Sequence, residues 1–159
     1  MAILQKLKEH FSRDSVTLDL QDIQALILRS RPEPYVGVHA MLHFDEAAGA
    51  RNLIGRLAPH IASADNWSED LDFWIGAALS FEGLKALGVP DAQLKTFPLP
   101  FQQGMAARAE QLRDFGPNAP ENWEDVFKPG NCHLALTIYA VDDDAVSYTH
   151  LRAHETGRN

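Results

Sequence analysis

Histidine and cysteine are the residues of this sequence that most readily bind metals or attack substrates. His39 and His43 lie in a segment where apolar and mixed positions alternate, as is typical of a β-strand. On a strand they share one face but lie ~13 Å apart, at ~3.3 Å per residue. Zinc binds imidazole nitrogen at about 2.0–2.1 Å, so one ion cannot bind both. We therefore expect this pair to face solvent or another domain.

The other histidines offer no better metal site. His10, His60 and His133 have no suitably spaced partner, and we expect them on the surface or in loops. His150 and His154 have the i, i+4 spacing that can bind a metal on a helix. They lie, however, in a C-terminal segment whose sequence does not continue the pattern of the preceding strand.

Cys132 is the single cysteine, so the chain cannot form an internal disulfide. A nucleophilic thiol needs a nearby base, and on a strand the adjacent His133 would point to the opposite face. We therefore expect a structural cysteine. The acidic run Asp142–Asp144 lacks the glycine and distal glutamate of a calcium loop, which favours a solvated turn. The sequence thus predicts no catalytic, cofactor-binding or metal-binding residue among these candidates.

Three segments predict the strands that position these side chains: Tyr35–Phe44, Asp72–Ser80 and His133–Val141. In the first, the even positions are all apolar and the odd positions are mixed, so one face belongs to a core. The link Ile61–Asp65 predicts a weak fourth strand. With helices between the strands, the order is β-α-β-β-α-β, a ferredoxin-like α+β fold with helices on one face of an antiparallel sheet.

Helix ends are marked by residues with known preferences. Asp45 is expected to cap the first long helix, and Pro59 to end or kink it. Ser80 can cap a second helix, with Gly88 as the residue just beyond its end. The apolar spacing also predicts one helix over Phe101–Arg113.

Composition limits the function classes. A formal net charge of −8 disfavours a nucleic-acid partner, which would need a basic face. No apolar segment approaches the ~20 residues that span a bilayer, so we expect no membrane partner. Met1–Asp22 carries charges throughout and has no twin-arginine pair, from which we expect a cytoplasmic protein.

Four further segments are informative when they are taken together in their order along the chain: Asp22-Ile-Gln-Ala-Leu-Ile-Leu-Arg29, Leu79-Ser-Phe-Glu-Gly-Leu-Lys-Ala-Leu-Gly-Val-Pro90, Phe97-Pro-Leu-Pro-Phe-Gln-Gln-Gly-Met-Ala-Ala-Arg-Ala109 and Pro120-Glu-Asn-Trp123. Their order and spacing over Leu18–Val141 resemble the N-terminal half of dye-decolorizing (Dyp-type) haem peroxidases. Two positions depart from the family pattern. Ala25 stands where the family's Asp-Ile-Gln-Gly has glycine, and Arg113 stands where Leu-Gly-Asp has glycine.

The resemblance implies a parent protein of two ferredoxin-like halves, with haem b in the C-terminal half. Such a parent oxidises phenols or dyes with hydrogen peroxide and is expected to be a homo-oligomer when intact. The family's distal aspartate lies in Gly-x-x-Asp-Gly, with an arginine and an iron-ligating histidine further along. None of these can be placed on this sequence, so no catalytic or haem-ligand residue is assigned, and the missing C-terminal half is the implied partner.

Tryptophan could also serve the electron transfer that the resemblance implies. Trp67, Trp74 and Trp123 are, however, more simply explained as packing residues, so none is assigned as a relay. The alternatives left open are a stand-alone ferredoxin-like module that dimerises through its sheet without catalytic activity, and an iron-releasing or encapsulated member of the same superfamily.

The chain is therefore divided into three parts. Residues 1–17 are expected to form a helical lead-in, and residues 18–145 a Dyp-type N-terminal ferredoxin-like domain. Residues 146–159 resemble the translation of a transposase-type sequencing adapter, and we interpret them as a non-native read-through tail.

Overall fold

The computed structural model describes residues 18–29, 35–66 and 73–142. At their centre is a three-stranded antiparallel sheet of β1 (Val36–Leu42), β2 (Phe73–Leu79) and β3 (Leu134–Ala140), in the order β1-β3-β2. The expected lead-in helix at 1–17 and the expected tail at 146–159 lie outside the described residues.

Helices and turns join the strands. The α-helices within the described ranges are α1 (Ala25–Leu28), α2 (Ala47–Leu57), α3 (Phe81–Ala86), α4 (Asp91–Leu94), α5 (Leu99–Gln103) and α6 (Ala109–Leu112). Single 3₁₀ turns lie at Leu20–Asp22, Ala58–His60, Ala106–Arg108, Gly116–Asn118, Pro120–Asn122 and Asp125–Phe127.

The core lies between α2 and one face of the sheet. The central strand β3 buries every second residue, from Leu134 to Ala140. Leu134 packs in a cluster with Phe44 and Ala50, against which Ile54 of α2 also packs. This arrangement follows from the alternation in the sequence, because in a strand successive side chains point to opposite faces.

Most of the predicted architecture is confirmed. The three strands lie within the predicted segments, and the α+β ferredoxin-like class is confirmed. The predicted fourth strand at Ile61–Asp65 is instead a single bridge between Ser63 and Gln24. The backbone of this link bonds to the first residue of α1 and to the chain before it, through Ala25 N–H to the Ala62 carbonyl and Ala64 N–H to the Ile23 carbonyl, so it does not extend the sheet.

The glycine and serine signals at α3 are confirmed. The Ser80 hydroxyl accepts a hydrogen bond from Gly83 N–H at 2.9 Å, and Gly88 follows the helix at φ 80°. Before α2, however, the prediction for Asp45 is wrong. Glu46 occupies the cap position there, without a side-chain cap, because α2 begins one residue later than expected.

The single helix predicted over Phe101–Arg113 is also wrong. Gly104 has φ 71°, a left-handed conformation that ends α5. A 3₁₀ turn and the separate helix α6 follow. The apolar spacing alone did not reveal the break, because glycine is tolerated within many helical patterns.

The exposed edge of β2 is held by a side chain. The Gln24 amide donates to the Ala77 carbonyl at 2.8 Å and accepts from Ala77 N–H at 2.9 Å. One side chain therefore satisfies both backbone groups of an edge residue, which would otherwise be open to pairing with another strand.

Candidate functional site

The sheet face opposite α2, here called the outer face, carries the polar side chains singled out in the sequence. Its members in β1 and β3 are Gly37, His39, Met41, Ala135, Thr137 and Tyr139, which the register brings together. His39 Nδ1 lies 3.0 Å from Thr137 Oγ1. The Tyr139 ring lies over Gly37, where an added Cβ would come within 2.8 Å of it. The outer face is therefore partly polar, as the alternation predicted.

His43 and His133 form a stacked pair beyond the ends of β1 and β3. Their ring centroids are 4.1 Å apart, with an interplanar angle of 28°. His133 Nδ1 accepts a hydrogen bond from Phe44 N–H at 2.9 Å, so its proton lies on Nε2 in the neutral form. His133 lies in the bend just before β3, a loop position as expected, but it is only 7% exposed and therefore not on the surface.

Burial and the neighbouring imidazole act together on His133. Removal from solvent lowers the pKa of His133 below its ordinary value of 6.5, and the nearby His43 lowers it further. Glu82, the Gly130 carbonyl and Asp45 oppose this shift. His133 is thus held as a neutral hydrogen-bond acceptor that fixes the chain after β1.

Cys132 precedes His133 in the chain, and its sulfur faces β1. Its Sγ contacts Met41 Sδ at 3.8 Å, whereas the Nδ1 of His133 accepts from Phe44 N–H. The sulfur is therefore packed against the sheet, and a structural role for this cysteine stays a prediction.

Ser80 ties α3 to the chain just before β3. Its N–H donates to the His133 carbonyl at 3.0 Å, and its hydroxyl donates to the Cys132 carbonyl at 2.7 Å. Gly83 fits into this junction because a Cβ there would lie 2.8 Å from the carbonyl carbon of His133 and would clash with the carbonyl oxygen. The close approach places the start of α3 next to Cys132.

A cavity of about 810 Å³ opens at this junction. Its walls come from three separate stretches of chain, around β2 and α3, around α5, and along residues 123–132. The larger apolar side chains that line it are Phe81, Phe101, Met105, Trp123 and Phe127. Cys132 lines it as well, and Ala78 links it to the outer face.

Contacts among the walls hold the cavity in shape. Phe81 and Phe101 meet edge to face with centroids 5.9 Å apart. Trp123 Nε1 donates to the Asn118 carbonyl at 2.9 Å, and Asn131 Nδ2 donates to the Asp125 carbonyl at 2.5 Å. These contacts connect α3 with α5 and fix the loop that carries Trp123 and Phe127.

The remaining candidates are separated in space. His60 is exposed in the 3₁₀ turn after α2, and Asp142 is exposed beyond β3. Trp74 is only 2% exposed within the sheet, whereas Trp123 lines the cavity. Trp67, His10, His150, His154 and the rest of Asp142–Asp144 lie outside the described residues.

The described ranges hold neither a cluster of metal-binding side chains nor a membrane-spanning helix. In residues 18–29, 35–66 and 73–142, no cluster of three or more His, Cys, Asp or Glu side chains is close enough to share a metal ion. Over the same part of the chain, no helix has the length and apolar character needed to cross a bilayer.

The cavity could not be predicted from the sequence. Its walls are more than twenty residues apart along the chain in places, so no local spacing links Phe81 with Phe127. The one available signal was the unusual Pro and Phe content of residues 97–101, and this segment was used only for the family resemblance.

Comparison with known proteins places the chain in a family. Residues 58–156 match the family model described as the DyP dimeric alpha+beta barrel domain. The matched range extends into residues 146–156, which we interpreted from their sequence as part of a read-through tail. A comparison with curated protein sequences gave no match.

Solved structures of dye-decolorizing peroxidases share the fold. An ancestral D-type dye-decolorizing peroxidase aligns at 24% identity and TM-score 0.71, over 87% of this chain and 31% of its own. The decolorizing peroxidase from Auricularia auricula-judae aligns at 22% identity and TM-score 0.71, and a further DyP at 20% and 0.73. Each of the latter two alignments covers 89% of this chain. The chain therefore spans about a third of these peroxidases.

Proposed function

Because the chain belongs to the family of the DyP dimeric alpha+beta barrel domain, we propose that it is the N-terminal part of a dye-decolorizing peroxidase. The parent protein would bind haem b and use hydrogen peroxide to oxidise phenolic or dye-like donors. The part described here supplies scaffold: a sheet, a surface for the C-terminal half, and the cavity at the start of α3.

The observation that carries this proposal is the partial coverage. The chain aligns over most of its own length with proteins named as dye-decolorizing peroxidases, yet it accounts for 31% of each. The remaining two thirds of such a parent have room for the haem-binding half. The residues that act on peroxide are then expected in that half.

The described residues do not fit a haem site. A haem-binding histidine must present a ring nitrogen to a large apolar cavity. None of the four described histidines lines the 810 Å³ cavity. This supports an axial ligand outside the described ranges.

The outer face of the sheet supports both this proposal and its alternative. Gly37, His39 and Ala78 are exposed there. In a peroxidase this face would be covered by the C-terminal half, whereas in a stand-alone module it would be covered by a second copy. The family description as a dimeric barrel also supports homo-oligomerisation of an intact parent.

The genomic DNA beyond codon 145 tests the proposal. We expect an open frame there that encodes Gly-x-x-Asp-Gly and then a later histidine and arginine. We also expect the protein expressed from that longer frame to oxidise a phenolic donor with hydrogen peroxide. A natural stop codon soon after codon 145, together with a monodisperse dimer of the short chain by light scattering, would instead support the stand-alone module.

A further inference from the structure

We propose that the cavity at the start of α3 binds one uncharged, flat aromatic molecule. This inference goes beyond the proposed function, because all the walls belong to described residues and no haem is needed. A volume of about 810 Å³ lies within the range of about 300–1,000 Å³ that is typical of ligand pockets. A molecule of two or three fused or linked rings fits such a volume.

The chemistry of the walls selects the ligand class. Phe81, Phe101, Trp123 and Phe127 present aromatic rings, and Met105 adds a polarisable thioether. Rings of this kind contact other rings edge to face or in offset stacks, and methionine sulfur makes favourable contacts with aromatic rings. An aromatic ligand therefore finds matching surfaces on several sides.

Two oppositely charged pairs lie near the cavity, and the further carboxylate that lines it, Glu124, disfavours an anionic ligand. Lys128 Nζ lies 2.6 Å from an Asp125 carboxylate oxygen, and Glu82 lies 2.9 Å from Lys85 Nζ. A charged ligand would have to compete with these pairs at a site whose remaining surface is mostly apolar. An uncharged ligand leaves both pairs intact.

Several polar groups in the walls already have hydrogen-bond partners, which disfavours a polypeptide as the occupant. The Ser80 hydroxyl bonds to the Cys132 carbonyl and to Gly83 N–H, and Trp123 Nε1 bonds to the Asn118 carbonyl. A peptide segment brings one N–H and one carbonyl per residue, and each needs a partner when it is buried. A small aromatic molecule brings no such requirement.

The rim shows apolar surface that a ligand would cover. Met105 is 61% exposed and Phe127 is 52% exposed. Burying apolar surface stabilises a complex by roughly 25 cal/mol per Å², so the contact of one ligand with both side chains favours binding. Phe115 is similarly exposed, at 58%, but does not line the cavity, which makes it a matched control.

Fluorescence and thiol labelling of the full 159-residue chain test the proposal together. N-phenyl-1-naphthylamine, an uncharged probe that brightens in apolar sites, is expected to bind saturably with one site per chain and a micromolar Kd. Because Cys132 is the single cysteine and lines the cavity, bimane labelling reports on the cavity alone. Saturating probe is expected to slow that labelling at least fivefold.

Two charge substitutions at similarly exposed positions distinguish binding in the cavity from non-specific binding of the probe to apolar surface. Phe127→Asp is expected to weaken probe binding at least tenfold, whereas Phe115→Asp leaves Kd within twofold, with circular dichroism checking that both variants fold. The proposal is overturned by non-saturating fluorescence, by Cys132 labelling that ignores the probe, or by equal effects of the two variants. Any of these results leaves the peroxidase proposal intact, because that proposal rests on the parent protein.

Discussion

At the residue scale, the two departures from the family motifs act very differently on the backbone. Arg113 has φ 63° and ψ 34°, the left-handed conformation, and it is the only non-glycine residue with positive φ in the described ranges. Asp114 N–H bonds to the Ala109 carbonyl and Arg113 N–H to the Glu110 carbonyl, the pattern in which glycine normally follows a helix. Ala25 instead begins α1 and is buried, so a side chain there meets no such strain.

Replacing Arg113 by glycine should stabilise the chain. A left-handed conformation costs a non-glycine residue roughly 1–2 kcal/mol, and part of that gain is lost to the greater freedom of glycine in the unfolded chain. We expect Arg113→Gly to raise the free energy of unfolding in urea by about 1 kcal/mol. Arg113→Ala keeps the strain and should give no comparable gain; an equal gain would mean that the side chain, not the backbone, is responsible.

The pH dependence of stability should report on His133. Its pKa is lowered in the folded chain, so the unfolded chain takes up the proton more readily. Its contribution is therefore complete above about pH 6.5 and is lost as the pH falls from there through the folded pKa. We expect the urea midpoint to drop between pH 7.5 and 5.5, and to drop less in His133→Asn.

His60→Asn is the matched control for that experiment, because His60 is exposed and lies outside the stacked pair. It should keep the pH dependence of the original chain. If His133→Asn and the original chain lose the same stability on acidification, the titration of His133 does not contribute as described.

At the element scale, β2 depends on contacts made by side chains from outside the sheet. Gln24 pairs with both backbone groups of Ala77, and Leu26 lies against Gly76, where an added Cβ would come within 2.9 Å of its Cδ1. The segment before α1 thus closes the strand edge that no fourth strand covers in the described residues. The strand prediction for Ile61–Asp65 was wrong for this reason, since Gln24 and α1 take the place of a further strand at that edge.

Removal of the Gln24 amide should loosen β2. Two hydrogen bonds, each contributing roughly 0.5–1.5 kcal/mol, are lost in Gln24→Ala, so we expect a destabilisation of about 1–3 kcal/mol and faster amide exchange at Ala77. Gln21→Ala removes only an exposed 3.4 Å contact to Asp65 and should change stability by less than about 0.5 kcal/mol. Unchanged protection of the Ala77 amide would contradict this account of the edge.

The junction of α3 with the chain before β3 should be sensitive to a single methyl group. Gly83→Ala pushes a Cβ against the His133 carbonyl, and overpacking of this kind costs about 1–3 kcal/mol. Gly55→Ala in α2 meets nothing within 4 Å and should stabilise the chain by about 0.5–1 kcal/mol. The thermal unfolding midpoint should therefore fall in Gly83→Ala and rise in Gly55→Ala. Shifts of the same sign would argue against the close approach of Gly83 to the His133 carbonyl.

At the scale of the whole molecule, the strands and helix ends could be predicted from local sequence patterns. Contacts between residues far apart in the sequence could not. The alternation in Tyr35–Phe44 and the Ser80 and Gly88 signals led to confirmed elements, because each depends on residues close together in sequence. The burial of His133 depends on His43 and Phe44, some 90 residues away. The cavity likewise needs three distant stretches of chain, so neither could be predicted from spacing alone.

Several large apolar side chains of the described residues are left uncovered. Leu99, Met105, Phe115 and Phe127 are each more than half exposed. Met105 and Phe127 line the cavity, whereas Leu99 and Phe115 do not. In the proposed parent, of which this chain spans about a third, we expect the C-terminal half to cover Leu99 and Phe115.

Haem titration of the purified 159-residue chain, followed by its Soret absorption, shows whether this part of the protein binds haem by itself. We expect no stoichiometric uptake and no peroxidase turnover, because none of the described histidines lines the cavity. One equivalent of haem bound with a histidine-ligated spectrum would contradict the claim that this part of the protein is scaffold.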